Sequence, residues 1–290
     1  MGTTFHIWNV RRNDAGREDC METTAAPASP VLEARHIKRH FGAVVALADA
    51  SMTLYPREVV GLVGDNGAGK STLLKILSGV LAPSDGEIAI DGRPVHLKRA
   101  QDAMDAGIET VYQDLALVDT MSAYQNVYLG REQLSKNPLA RLFNLVDDRE
   151  MRARAREVLD SLKVKVPSIN VSVKGMSGGQ RQCLAIARAL LWGRRIVILD
   201  EPTAALGVRE TGQVLEVIAG LREQNVSVII VSHNMQQLMT VADRITVMRL
   251  GRSIATRTVR NTDVSEIVGL ITGAVPGDSA EAKAAQQIPA

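Results

Sequence analysis

The chain has 290 residues, 46% hydrophobic and 23% charged, with a formal net charge of +2. That length suits one large domain or two lobes around a full core, and the near-balanced charge gives no general electrostatic case for nucleic acid. Two Trp, four Tyr and three Phe are too few for a base-stacking surface. No apolar run reaches the ~18 residues of a membrane span. Cys20 and Cys183 form neither a CxxC pair nor a disulfide framework, which suits a reducing compartment.

Residues 1–30 read as a poorly ordered extension, polar and without a period. The apolar stretch Phe5–Val10 precedes Arg11 and Arg12, the reverse of the order in a signal peptide. Structured sequence begins near Val31, so translation is expected to start at Met21. From there short apolar runs alternate with helical periods. Val59–Val63 reads as a buried strand, and Leu73, Leu74, Ile76 and Leu77 as a helix that stops at Gly79. Glu87–Ile90, Asp91-Gly92 and Val95–Leu97 read as strand, tight turn and strand. Met151, Ala155, Val158, Leu159 and Leu162 form the apolar stripe of an amphipathic helix with a basic outer face. Ile196–Leu199 and Val226–Val231 are two more strands, separated by a helix carrying Val214, Val217, Ile218 and Leu221. Strands alternating with helices imply an α/β fold with a largely parallel sheet. The stretch 114–190 is mostly helical and reads as an inserted subdomain. The tail from 273 to 290, rich in Ala, Gln and Pro, reads as loose.

Two segments carry chemistry. Gly64-Asp65-Asn66-Gly67-Ala68-Gly69-Lys70-Ser71, followed by Thr72, matches G-x4-G-K-[ST] between a strand and a helix. Its backbone N–H groups can close around phosphate oxygens, Lys70 supplies positive charge, and the Ser71 hydroxyl can reach Mg²⁺. The run Ile196–Leu199 leads into Asp200 and Glu201, so the strand presents two acids at its carboxyl end beside that loop. Asp200 is expected to hold Mg²⁺, and Glu201 to act as general base on the attacking water.

Met176-Ser177-Gly178-Gly179-Gln180 resembles the signature motif of ATP-binding cassette ATPases. It precedes an apolar helix, and the Asp200-Glu201 strand follows in the family's order. The resemblance, over about residues 31–272, implies a P-loop NTPase (RecA-like) core with an antiparallel β subdomain and the inserted helical subdomain. It implies ATP and Mg²⁺, and a second phosphate site made by Ser177, Gly178, Gly179 and Gln180 at a helix start. That site serves the nucleotide held by the other subunit. Phe41 matches the aromatic that stacks on adenine. Gln113 matches the glutamine that touches Mg²⁺ and water, and His233 matches the switch histidine at the γ-phosphate. Met176 replaces the usual Leu. Gly207 replaces an Asp through which one site usually senses the other.

The stretch Glu201–Gly207 and the segment Gly107–Leu117 look like the cassettes of bacterial monosaccharide importers, here of the single-cassette type associated with fructose and related sugars. The resemblance thus implies an ATPase that powers sugar uptake. Its partners are a second cassette, as a homodimer, membrane permease subunits and, indirectly, an external sugar-binding protein, with no nucleic acid. Its location is the cytoplasmic face of the inner membrane, as a peripheral subunit. Asp114–Gly130, with Leu115, Leu117, Met121, Tyr124, Val127, Tyr128 and Leu129, is the expected docking surface. The alternative is a soluble cassette ATPase in DNA repair or translation, whose usual coiled-coil insertions or second P-loop are not found. A P-loop kinase or GTPase would leave Ser177–Gln180 unexplained.

Overall fold

The computed structural model describes residues 29–278 except 165, 167 and 193. The expectations for residues 1–28, including the Met21 start, and for the tail beyond 278 lie outside the described residues. Ten strands are formed: β1 (Leu32–Phe41), β2 (Val44–Leu54), β3 (Val59–Gly64), β4 (Asp85–Ile90), β5 (Arg93–Val95), β6 (Ile108–Val111), β7 (Ile196–Asp200), β8 (Ser227–Val231), β9 (Arg244–Arg249) and β10 (Arg252–Thr258). The helices are α1 (Lys70–Leu77), α2 (Ala100–Asp105), α3 (Ala123–Tyr128), α4 (Pro138–Leu142), α5 (Asp148–Ser161), α6 (Gly178–Leu191), α7 (Val208–Gly220), α8 (Met235–Val241) and α9 (Val264–Thr272).

The strands form one sheet in the order β5-β4-β1-β2-β10-β9-β3-β8-β7-β6. Its β9-β3-β8-β7-β6 half is parallel, whereas β1, β2, β4 and β5 pair antiparallel. Side chains of the central strands alternate between two apolar clusters, as strand geometry requires. Val60, Leu62, Ile196, Ile198, Ile229 and Val231 face the cluster that receives Leu73, Leu74, Ile76 and Leu77 of α1. Val59, Val63, Val197, Leu199, Val228 and Ile230 face the cluster built with α6 and α7. Burial on both faces explains why these strands read as unbroken apolar runs.

The helical segment is less separate than an insertion implies. Met151, Ala155 and Leu159 of α5, Tyr124, Val127 and Tyr128 of α3, and Leu184 and Ile186 of α6 join the same apolar cluster as the sheet. The docking surface expected over 114–130 is corrected in part. Tyr124, Val127 and Tyr128 are buried, and the Tyr128 ring meets Trp192 edge-on with centroids 5.5 Å apart. Leu115, Leu117 and Met121 are half-buried and Leu129 is exposed. More fully exposed apolar side chains lie further along, at Leu139, Leu142 and Phe143.

Two other expectations shift. The strand read at Val95–Leu97 forms earlier, at Arg93–Val95, because it pairs back across the Asp91-Gly92 turn, where Ile90 faces Arg93. The tail is pinned as far as Asp278: its N–H donates to Ile254 O at 2.8 Å, and its carboxylate takes Nη1 of Arg257 at 2.6 Å.

Gly61 sits in the central strand because α8 crosses it closely. A Cβ there would fall 2.5 Å from Cδ2 of Leu238. Gly61→Val is expected to destabilise the fold by about 1–3 kcal/mol through overpacking, read as a lowered midpoint in urea denaturation.

Candidate functional site

β3 delivers the chain to a loop that ends at Gly69 and opens α1. Gly69 adopts φ +101°, in the left-handed region that only glycine enters freely, and so turns the backbone into the helix. Lys70, the first residue of α1, is 6% exposed. Its ammonium donates to Gly64 O at 2.7 Å and to Asp65 O at 3.0 Å. Burial lowers the Lys70 pKa, against the nearby carboxylates of Glu201, Asp65 and Asp200. Asp200 shifts up, again mainly through burial, opposed by Lys70, Lys75 and His233.

β7 and β8 end side by side, with Asp200 in register with Val231. The next residue, Glu201, takes φ +53°, and its N–H donates to Val231 O at 3.0 Å. A non-glycine residue held in this region costs of order 1–3 kcal/mol. The Glu201 carboxylate lies 3.1 Å from Nε2 of His233, which follows β8. Acid and imidazole are therefore paired before any substrate arrives.

These groups converge. Asn66, Gly67, Ala68, Gly69, Lys70, Ser71 and Thr72 line one cavity with Gln113, Asp200, Glu201 and His233. Its volume is about 630 Å³, within the usual size of a small-molecule site. Gly64 and Asp65 contribute instead through the carbonyls that hold Lys70. The donors suit a polyphosphate: buried cationic charge, a helix N-terminus and a glycine-rich loop at one end. They also suit magnesium, which binds through one or two carboxylates while keeping water and phosphate oxygens. Among the described residues no three His, Cys, Asp or Glu side chains gather as a metal cage.

Phe41 does not line the cavity. Its ring is 48% exposed and carries the guanidinium of Arg39 at 4.8 Å. Val44, Val45 and Ala46, across the turn from β1 into β2, line it instead. Sequence reasoning missed them, since two valines in an unpatterned stretch carry no chemical signal.

Ser177, Gly178, Gly179 and Gln180 are not among the cavity-lining residues. They open α6 with a capping box: the Gln180 side-chain Oε1 accepts from Ser177 N at 3.0 Å, and the Ser177 hydroxyl accepts from Gln180 N at 3.4 Å. One turn into α6, Cys183 is buried, and burial pushes its thiol up to about 12.

The family model for ABC transporter matches residues 47–204. The chain belongs to the ABC transporter family. It is 42% identical over 246 residues to the fructose import ATP-binding protein FrcA of Rhizobium meliloti, covering 84% of this chain and 95% of that one. To the xylose/arabinose import ATP-binding protein XylG of Sulfolobus acidocaldarius it is 42% identical over 244 residues, covering 84% and 94%. The fold matches a nucleotide-free ATP-binding cassette of an ABC transporter, with TM-score 0.70, 24% identity, and 84% and 95% of the two chains covered. It also matches a dimeric bacterial ABC transporter cassette, with TM-score 0.64, 25% identity, and 80% and 100% covered. The protein is thus an ATP-hydrolysing cassette of a P-loop NTPase fold.

In this cassette the Cys183 thiolate population rises only as pH nears 12, so the folded protein should resist thiol reagents. A Cys20→Ser variant is expected to react with Ellman's reagent at pH 8 only after denaturation. Rapid labelling of the native protein would contradict the burial.

Proposed function

We propose that this cassette powers import of a simple sugar through a separate membrane permease, from the cytoplasmic face of the inner membrane. Among the described residues no helix is long and apolar enough to cross a membrane, so translocation belongs to that partner. An external sugar-binding protein delivers the cargo to the permease. Similarity to fructose and xylose/arabinose import ATP-binding proteins along nearly their whole lengths supports this reading.

The observation that carries the mechanism is the separation of two phosphate-binding elements. Lys70, Asp200, Glu201, His233 and Gln113 meet at one cavity, and Ser177–Gly179 lie outside its lining. Two identical chains, arranged head to tail, bring the α6 start of each against the cavity of the other. ATP then binds between them, its adenine against Val44 and Val45 with Phe41 beside the turn. Ser71, Gln113 and Asp200 would hold the magnesium that accompanies ATP, neutralising phosphate charge. Lys70 moves from the carbonyls of Gly64 and Asp65 to phosphate oxygens. Glu201, oriented by His233, takes the proton of the attacking water. A γ-phosphate shared by two chains favours the closed dimer, and its loss on hydrolysis lets the dimer open. Gln113 follows β6 at the entrance to the helical segment and passes that change on to the permease.

Glu201→Gln should bind ATP normally, form a stable ATP-dependent dimer and hydrolyse at least ~100-fold more slowly. Near-normal turnover would contradict its role as base. Lys70→Ala should weaken nucleotide binding by about 10-fold or more in a fluorescent-nucleotide titration, and unchanged affinity would remove its phosphate role. Affinity capture from detergent-solubilised membranes tests the transport reading. Recovery of a multi-span permease is expected, whereas only soluble or nucleic-acid-bound partners would overturn it.

A further inference from the structure

The second phosphate site already has an occupant within the single chain. Glu210 stands in the first turn of α7, and its Oε2 accepts from Gly207 N at 3.4 Å, reaching back to the residue that precedes the helix. The start of α6 lies against the same side chain. A Cβ on Gly179 would fall 2.9 Å from the Glu210 Cβ, and a Cβ on Gly178 would lie 3.8 Å from Glu210 Oε2. The carboxylate therefore lies between two helix N-termini, bonded to the first N–H group of α7's cap and packed against the glycines that open α6. Hydrogen bonding, first from Ser177 and then from Gly207, holds Glu210 below the usual carboxylate range, so it is ionised at neutral pH.

The donors are the ones assigned above to a γ-phosphate, so this inference rests on the dimer reading. We propose that Glu210 is an internal competitor for the signature site: it holds the Ser177–Gly179 donors in the separated chain and must be displaced when the partner's γ-phosphate arrives. Two anions cannot share one set of donors without strong repulsion. Closure therefore requires the carboxylate to swing out of its half-buried position between the two helix starts. Position 207 suits this exchange, because Gly207 has no side chain and nothing lies within 4 Å of where its Cβ would point. Glu210 thus weakens the dimer selectively, by stabilising the separated state. It leaves the Lys70 cavity untouched, since it is not among that cavity's lining residues.

The experiment compares full-length Glu201→Gln with Glu201→Gln/Glu210→Gln and Glu201→Gln/Glu210→Ala at saturating MgATP. Analytical ultracentrifugation gives the dimer dissociation constant, and a fluorescent ATP analogue at high dilution gives nucleotide affinity of the separated chain. Both Glu210 variants should dimerise about 10-fold more tightly, within the usual range of coupling between sites, with nucleotide affinity unchanged. Glu210→Gln keeps hydrogen-bonding capacity at the cap, so its thermal midpoint should stay near that of the parent. A dimer constant in Glu210→Gln that is unchanged or weaker overturns the proposal and leaves Glu210 as a helix cap or as a group needed in the closed state. A Glu201→Gln parent that forms no ATP-dependent dimer overturns the dimer reading itself and this inference with it.

Discussion

A lysine ammonium almost fully removed from water is the constraint on which this structure turns. Burial of an unanswered charge costs several kcal/mol, and Lys70 is buried at the base of the cavity. Two carbonyls of its own loop accept its hydrogen bonds, and carboxylates of Glu201, Asp65 and Asp200 stabilise its charge. That arrangement needs β3 to end just before α1, and β7 to end beside β8 so that Asp200 and Glu201 arrive at the same edge. The two apolar clusters that fix those parallel strands are in this sense the scaffold of one charge cluster. In the proposed function a triphosphate entering the cavity gives the Lys70 ammonium phosphate oxygens in place of the two loop carbonyls.

Backbone donors recur at α6, where a serine, two glycines and a helix start form the element proposed as a second anion site. In the proposed dimer its separation from the cavity divides the labour: one protomer would supply the buried cation and the base, its partner the remaining donors. The strained backbone of Glu201 and its contact with His233 hold the proposed base in place in the single chain. α6 packs into the same apolar cluster as the strand that carries the acids.

Much of this was legible in the sequence. The parallel strands announced themselves as apolar runs because both of their faces are buried, and the P-loop, the Asp200-Glu201 pair, Gln113, His233 and the signature were readable from residue type and order. In the antiparallel region the β4–β5 hairpin was legible from its Asp91-Gly92 turn, but β1 and β2 were not. In β1 the alternation of Leu32 and Ala34 breaks at His36, which takes φ +51° and shifts the register before Ile37. A period of two interrupted by a bulge leaves no signal. Tyr124, Val127 and Tyr128 misled for the opposite reason, since an apolar stripe reads alike whether a core or a partner covers it. Glu210 was invisible because its role depends on two helix starts meeting in space, and only its spacing from Gly207 hinted at a cap.

The proposed mechanism requires one phosphate to be held by two chains. Orthovanadate trapped with ADP takes the place of the γ-phosphate, and near-ultraviolet light then cleaves backbone adjacent to it. Mass mapping of the fragments should find cleavage at both the Lys70–Ser71 segment and the Ser177–Gly179 segment. Cleavage confined to the Lys70–Ser71 segment under trapping conditions would contradict the shared site and leave the signature helix without its assigned ligand.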